Sequence, residues 1–322
     1  QVKRGQLLFE DRKTEGVRFT APGAGTVVAI NRGARRALQS VVIDLTLSER
    51  RGKPDHTDLQ PFESFSGREV AELDRQAVRA LLVESGLWTA IRQRPFSKVP
   101  SPASTCRSIF VTAMDSNPLA ADPEVVLDGQ MDDFRRGLSA LSHLTDGTVF
   151  LCRAPGAMID PGDAPRVQVE EFAGKHPAGL AGTHIHLLDP VHREKVVWYV
   201  GYQDVAAIGR LFESGRLPVG RTVALSGPVV IHPRLLKTRL GANIDPLIDE
   251  ELFFGESRVV SGSVLFGRRA RGAVYGFLGR YDNQISCLAE DHRRRFLGWV
   301  WPGWDIFSVT RAYLSGFRRT ST

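Results

Sequence analysis

Cysteine is scarce in this chain. Cys106, Cys152 and Cys287 stand far apart, with no C-x-x-C pair among them. That spacing excludes the clustered thiolates of a zinc or iron–sulfur site. The odd count argues against a disulfide framework and for a reducing compartment. Long apolar runs are missing too: the strongest, Val196–Tyr202, has strand length, well short of the roughly 20 residues that cross a bilayer as a helix. The first residues are polar and do not read as a secretory leader. Neither G-x-G-x-x-G nor G-x-x-x-x-G-K-[ST] occurs, so the glycine loops that let backbone approach a pyrophosphate or a triphosphate are lacking. Nor does one sign of charge dominate, since 42 Lys and Arg against 36 Asp and Glu leave +6. An anionic partner is permitted by that excess but not required. The basic groups Arg35-Arg36, Arg268-Arg269, Arg271 and Arg293–Arg295 are scattered among acids and follow no nucleic-acid-binding pattern, so no nucleic-acid partner is expected.

What is present is an ordinary globular composition, 42% hydrophobic and 24% charged over 322 residues, which at about 150 residues per domain suggests more than one domain. Val17, Phe19 and Ala21 alternate with Arg18 and Thr20, the period of a half-buried strand. Pro22-Gly23-Ala24-Gly25 reads as a turn, and Thr26–Ile30 and Val41–Leu45 as further strands. Glu49–Pro61 is charged, aperiodic and carries two prolines, so it reads as a linker. Ser66 and Glu69 have capping-box spacing ahead of Val70, Leu73, Ala77 and Leu81, predicting a helix from Ser66 that stops near Gly86. Met131, Phe134, Leu138 and Leu141 form a second helical stripe, and Val205–Phe212 a third that stops near Gly215. Ile109–Val111, Val149–Leu151, Val167–Phe172, Thr183–Leu188 and Val196–Tyr202 read as strands, which predicts an α/β sheet domain. Beyond Arg221, strands at Thr222–Leu225, Val229–Ile231 and Arg258–Val260, with a short helix at Leu247–Leu252, make a smaller α+β module; a last strand is expected at Ser308–Thr310.

Several groups invite a chemical reading. His176, His184, His186 and His192 fall within 17 positions, and on a strand His184 and His186 would share a face, as a pair of imidazole ligands could. No third ligand stands at a characteristic spacing, apart from Asp189 nearby, so no metal is assigned. Ser261-Gly262-Ser263 is not a nucleophile elbow. Cys106 sits in a polar approach and could be exposed, but no activating base is visible. Trp299, Trp301 and Trp304 cluster as interface anchors or core. No catalytic residue is assigned.

The segment "VKRGQLLFEDRKTEGVRFTAPGAGTVVAI" resembles half of a biotinyl/lipoyl-type barrel-sandwich module, although Lys13 stands in Asp11-Arg12-Lys13-Thr14 rather than between methionines, which removes a swinging-arm role. The blocks "SGLWTAIRQRPFSKVP" (85–100), "KHPAGLAGTHIHLLDP" (175–190), "GYQDVAAIGRLFESG" (201–215), "HPRLLKTRLGAN" (232–243) and "LGRYDNQIS" (278–286) are similar to the A-subunit family of Na+-translocating NADH:quinone oxidoreductases. More distantly, the chain resembles the flavin-bearing NADH subunit of respiratory complex I and the C-subunit of the Rnf complex. The resemblance implies a multidomain α/β chain: a barrel-sandwich β module (1–48), a Rossmann-like α/β domain (62–215), a β-grasp, soluble-ligand-binding domain (216–258) and a β-rich C-terminal segment (259–322) that the family would extend at its end.

It also implies a peripheral subunit on the cytoplasmic face of the bacterial inner membrane, without a transmembrane segment, that supports quinone reduction coupled to Na+ export. Its expected partners are the other subunits of the complex, above all the membrane-embedded B-subunit. Flavins and iron–sulfur centres would belong to those partners, and this chain would hold no redox cofactor or metal of its own. Ubiquinone is a contact it could make, and His184, His186, Tyr202 and Gln203 are the candidate residues. The glycine-rich flavin loop of the complex I relative has its counterpart at Ser85-Gly86-Leu87-Trp88. There the bulk of Leu87 and Trp88 after Gly86 is expected to block a phosphate. The competing expectation is a stand-alone flavin or nicotinamide oxidoreductase on the same fold.

Overall fold

The structure, a computed structural model, describes residues 1–253, 255–290, 292, 296–304, 306 and 312–317. It divides into a large unit, Gln1–Leu288, and a small one, Ala289–Thr322. In the large unit, strands β1 (Leu7–Glu10) and β2 (Arg18–Thr20) pair antiparallel, as do β3 (Gly25–Arg32) and β4 (Leu38–Leu45). These two ribbons form the barrel-sandwich module, in which Phe9 stacks on Phe19 at 4.8 Å.

The stretch read as a linker is anchored. Helix α1 (Leu47–Arg50) is capped by the Thr46 side chain and buries Glu49. Glu49 accepts from Arg4 Nε (2.7 Å), the Ala24 backbone N–H (3.1 Å) and Arg239 Nη2 (2.9 Å). A buried carboxylate is tolerated only when so paired. Burial works to raise its pKa, but the Arg4 and Ala24 donors and Arg239 outweigh it, and the carboxyl sits below its ordinary range. The residue thereby ties three distant segments of chain together.

The helix expected from Ser66 starts later. Val70–Glu72 makes a single tight turn, and α2 (Arg75–Glu84) begins at Asp74, whose side chain accepts from the Ala77 N–H at 2.7 Å. Asp74 thus takes the capping role that the Ser66/Glu69 spacing suggests, because the extended backbone at Leu73 breaks the helix there. The chain then runs through β5 (Arg92–Arg94), β6 (Ile109–Ala113), α3 (Pro123–Leu127), α4 (Met131–Leu144), β7 (Val149–Arg153), β8 (Val167–Glu171), α5 (Ala181–Leu188), β9 (Val197–Gly201) and α6 (Tyr202–Ser214). The sheet order is β5-β9-β6-β7-β8, with β9, β6, β7 and β8 parallel. The chain starts at β6, moves outward through β7 and β8, then returns to β9 on the other side of β6, as doubly wound nucleotide-binding sheets do.

Helices α4 and α6 cross at close quarters. A Cβ on Gly209 would lie 1.7 Å from the Asp133 carbonyl oxygen, and one on Gly137 2.0 Å from that of Val205. The segment Thr183–Leu188 is helical within α5, not a strand. Its apolar Ile185 packs with Phe110, Cys152 and Val197 in a cluster separate from the main core. A helix can cover a sheet face without pairing, whereas a strand would need an edge to pair with.

The chain continues into β10 (Gly220–Ser226), β11 (Arg234–Arg239), α7 (Asp245–Ile248), β12 (Ser257–Ser261), β13 (Arg268–Arg269), α8 (Gly272–Tyr275) and β14 (Gln284–Ala289). These strands form one sheet, β11-β10-β14-β12-β13, in which β14 runs parallel to β10. The expected strand at Val229–Ile231 is only an isolated bridge between Val230 and Leu252, and α7 ends before Leu252. The small unit shows a tight helical turn at Leu314–Phe317 and exposes Trp299, Trp301 and Trp304 within itself. The expected strand at Ser308–Thr310 and the basic run Arg293–Arg295 lie outside the described residues.

Candidate functional site

In an open α/β sheet, ligands enter where the strand order reverses, beyond the carboxyl ends of the strands. Here the reversal lies between β6 and β9, so the relevant residues are Met114–Asn117 and Gly201–Gln203. The chain itself fills this crevice. The Gly179 N–H donates to Ser116 Oγ at 2.8 Å, and a Cβ on Gly179 would meet the Ser116 nitrogen at 2.5 Å. Ser116 Oγ also lies 3.3 Å from His176 Nδ1. From the other side, Gln284 Nε2 donates to the Pro118 carbonyl at 3.1 Å. Asp115 is enclosed, and burial raises its carboxyl above the usual range although the Asn117 backbone and side chain both donate to it.

The four polar residues singled out from the sequence do not converge. His184 lies inside α5, fully buried, 4.1 Å from the Phe172 ring centre, with Nε2 2.8 Å from the Ala178 carbonyl. Burial lowers its pKa. His186, two residues on, is exposed: two steps on a helix turn a side chain to the far side, so the shared face expected of a strand is lost. Tyr202 opens α6 in the main core, with its hydroxyl buried and unpartnered among the described residues. Burial pushes that hydroxyl's pKa up. The Gln203 amide is a structural clamp. It donates to the Thr222 carbonyl at 2.8 Å and accepts from the Thr222 N–H at 2.9 Å, pinning α6 to β10. Among the described residues no three His, Cys, Asp or Glu side chains gather as a metal set.

The Gly86 turn behaves as its side chains demand. Gly86 takes φ +78°, and Leu87–Ala90 follow as one tight turn with every residue buried. The space above Gly86 belongs to Thr20 of the barrel-sandwich module. A Cβ there would meet Thr20 Oγ1 at 2.4 Å, while that hydroxyl donates to the Ser85 carbonyl at 2.7 Å. Trp88 is fully buried, packs edge-on against Trp198 at 5.4 Å and donates its indole N–H to the Pro100 carbonyl at 2.8 Å. Side chains and the neighbouring strand β2 thus fill the room above this turn.

Beside the turn lies an apolar cleft of about 210 Å³, walled by Phe19, Leu87, Leu217, Leu240 and Leu278, with Thr89 and Arg280 as its polar edge. Arg280 and Arg221 both donate to Asp204 Oδ1, at 2.9 and 2.7 Å. Burial works to raise the Asp204 carboxyl, but the two guanidinium groups overcome it and hold the pKa below the ordinary carboxylate range.

Sequence reasoning does not find Asp115, Asp204 or the arginines Arg92, Arg94 and Arg280. A signal exists for the first, since Asp115 stands just past a predicted buried strand, where α/β sheets place functional groups. The spacing of Arg92 and Arg94 also puts both on one strand face.

The fold defines a class: a doubly wound α/β sheet flanked by a barrel-sandwich and a β-grasp module, with its own residues packed at the strand-order reversal. Sequence profiles match along most of the chain: the NqrA N-terminal barrel-sandwich hybrid domain over residues 1–46, the NqrA second alpha/beta domain over 73–217 and the NQRA C-terminal domain over 222–272. The A-subunit of the Na(+)-translocating NADH-quinone reductase of Hahella chejuensis is 52% identical, over 98% of this chain and 68% of that protein. Those of Vibrio parahaemolyticus and Pasteurella multocida are 49% and 50% identical, over 98% and 99% of this chain and 68% and 69% of theirs. The chain belongs to the A-subunit family of Na(+)-translocating NADH-quinone reductases. Among solved structures, an NAD+-reducing [NiFe]-hydrogenase in the H2-reduced state aligns over 72% of this chain and 49% of its own, with a TM-score of 0.50 and 14% identity, a likeness of fold alone.

Proposed function

We propose that this chain serves the Na+-translocating NADH-quinone reductase as a subunit that works by contact and carries no redox cofactor. The observation that supports this most is the Gly86–Ala90 turn, where Thr20, Leu87 and Trp88 take the space a flavin phosphate would need. Among the described residues no helix is long and apolar enough to cross a membrane. That accords with a peripheral place at the cytoplasmic face of the inner membrane, docked on the B-subunit and its neighbours, which hold the flavins and iron–sulfur centres. The test is flavin titration of the purified chain, followed by fluorescence quenching, together with crosslink mapping of the intact complex. We expect no saturable flavin binding and crosslinks to the membrane subunits. A stoichiometric flavin retained by this chain would overturn the reading and favour a stand-alone flavin or nicotinamide oxidoreductase.

One observation favours a quinone contact as well, at a place other than His184, His186, Tyr202 and Gln203. The cleft beside Leu87 offers apolar walls with Thr89 and Arg280 at the edge, the combination a quinone ring and its carbonyls require. Titration with a short-chain ubiquinone should saturate, and Leu240→Trp, which fills the cleft, should abolish it. Equal binding by the variant would remove the cleft from consideration.

A further inference from the structure

Beside the edge strand β5, Arg92 and Arg94 of the strand and Arg280 of the turn before β14 collect with little to neutralise them. Arg92 pairs with Tyr199 across the β5–β9 ladder, and Arg94 is two residues along on the same face. The Arg92 guanidinium lies 4.5 Å from the Tyr281 ring centre and 5.8 Å from that of Tyr199. Arg94 lies 5.4 Å from the same Tyr199 ring, and Arg280 lies 5.6 Å from that of Tyr281. The rings are fixed, because the Tyr281 hydroxyl donates to the Thr89 carbonyl at 2.8 Å and the Tyr199 hydroxyl to Ser97 Oγ at 3.1 Å.

Stacking on aromatic faces makes such crowding bearable but does not discharge it, since each cation–π contact is worth only about 0.5–2 kcal/mol. Arg280 shares Asp204 with Arg221. Besides those rings, Arg92 donates to the Ser97 carbonyl, at 2.8 and 3.1 Å, and has no carboxylate partner among the described residues. Arg94 has no side-chain partner among the described residues beyond the Tyr199 ring. Its Nε and the Nη2 of Arg280 are buried nitrogens with no acceptor among the described residues. Arg94 Nη2 also sits 3.9 Å from where a Gly182 Cβ would be, beside the positive first turn of α5.

Arg92 shares the Tyr199 ring with Arg94 and the Tyr281 ring with Arg280, and guanidinium groups clustered in this way with few anionic partners suit a multidentate oxyanion. We infer that Arg92, Arg94 and Arg280, braced by Tyr199 and Tyr281, form a binding site for a phosphate-type dianion. The site shares Arg280 with the edge of the cleft beside Leu87 but requires no flavin or quinone. At the mouth, the hairpin tip presents Phe96, 79% exposed, with Lys98 Nζ 5.9 Å from its ring centre, so the phosphate could be free or the headgroup of a lipid.

The experiment is calorimetric titration of the purified chain with inorganic phosphate at low salt in a zwitterionic buffer. One saturable site is expected. Arg94→Ala and Arg92→Gln should each weaken it at least about tenfold, the scale of losing one charge-assisted pair. Arg216→Ala, an arginine on the α6–β10 connection outside the cluster, should leave it unchanged. Circular dichroism melts identify the variants that remain folded, and two independent variants guard against one failing. Co-sedimentation with vesicles of phosphatidylglycerol, against phosphatidylcholine alone, separates the sources: binding lost in Arg94→Ala marks a lipid headgroup, and phosphate binding without vesicle binding marks a soluble ligand. Phosphate that fails to saturate, or that binds both folded variants as well as the parent chain, overturns the inference.

Discussion

The carboxylate of Asp204 is the clearest place to strike the structure. It is 5% exposed and lies on α6, yet its partners come from elsewhere, Arg221 on β10 and Arg280 in the turn before β14. Replacing it by alanine leaves two guanidinium groups facing each other, one of them also deeply buried. Breaking a buried pair in this way costs about 3–5 kcal/mol, because the stranded charge keeps its desolvation penalty. At about 2–4 °C per kcal/mol for units of 150–250 residues, the melting temperature should fall on the order of 10 °C. Asp204→Asn, which keeps the shape and one acceptor, should fall between. In a double-mutant cycle, Arg221→Ala should cost much less in the Asp204→Ala background than alone, a coupling of about 1–3 kcal/mol. Thermal and urea melts of the four proteins measure this directly. A melting point for Asp204→Ala within about 2 °C of the parent, or additive effects in the cycle, would show that Asp204 does not tie α6 to β10 and to the turn before β14.

The same logic sets a pH dependence. Glu49 and Asp204 both bind a proton less readily folded than unfolded, so their contribution is complete above the ordinary carboxylate range, near 4, and is lost as the pH falls through their lower folded values; urea midpoints taken from pH 7 downward should drop there, and less steeply in Glu49→Gln. Gly209→Ala should destabilise by about 1–3 kcal/mol or more, since its Cβ would sit 1.7 Å from the Asp133 carbonyl and force α4 from α6; an unchanged melt would refute that close crossing. Trp88→Ala should cost about 3–5 kcal/mol, read by urea denaturation. Burial raises all three thiols, Cys106 to about 12 and Cys287 to about 11, so at pH 8 a thiol reagent should label them only slowly until denaturant is added; prompt labelling of Cys106 would contradict its enclosure.

How much is legible in the residues can be seen element by element. The stripe Met131, Phe134, Leu138 and Leu141 and the stop at Gly215 mark α4 and α6, because each pattern is local and a glycine in the left-handed conformation ends a helix by itself. The strands at Ile109, Val149, Val167 and Val197 are legible for the same reason. The barrel-sandwich, α/β and β-grasp modules and the family follow from long blocks of resemblance. Thr183–Leu188 is not legible in this way, since a short apolar run fits either period and only the apolar cluster waiting for Ile185 chose the helix. With that choice, His184 and His186 parted.

What the sequence alone decided was the local alphabet: where helices stop, which strands are buried, and that a large tryptophan stands just past Gly86. Tertiary structure decided everything that depends on residues far apart in the chain. Glu49 is a junction only because Arg239 arrives 190 positions later, and Thr20 closes the Gly86 turn from 65 positions before Ser85. Arg92 and Arg94 become a charged cluster only when Arg280 and Tyr281 fold onto them. Electrostatics and steric exclusion act over a few ångströms of space, and no pattern read along the chain reports which distant groups will share that space.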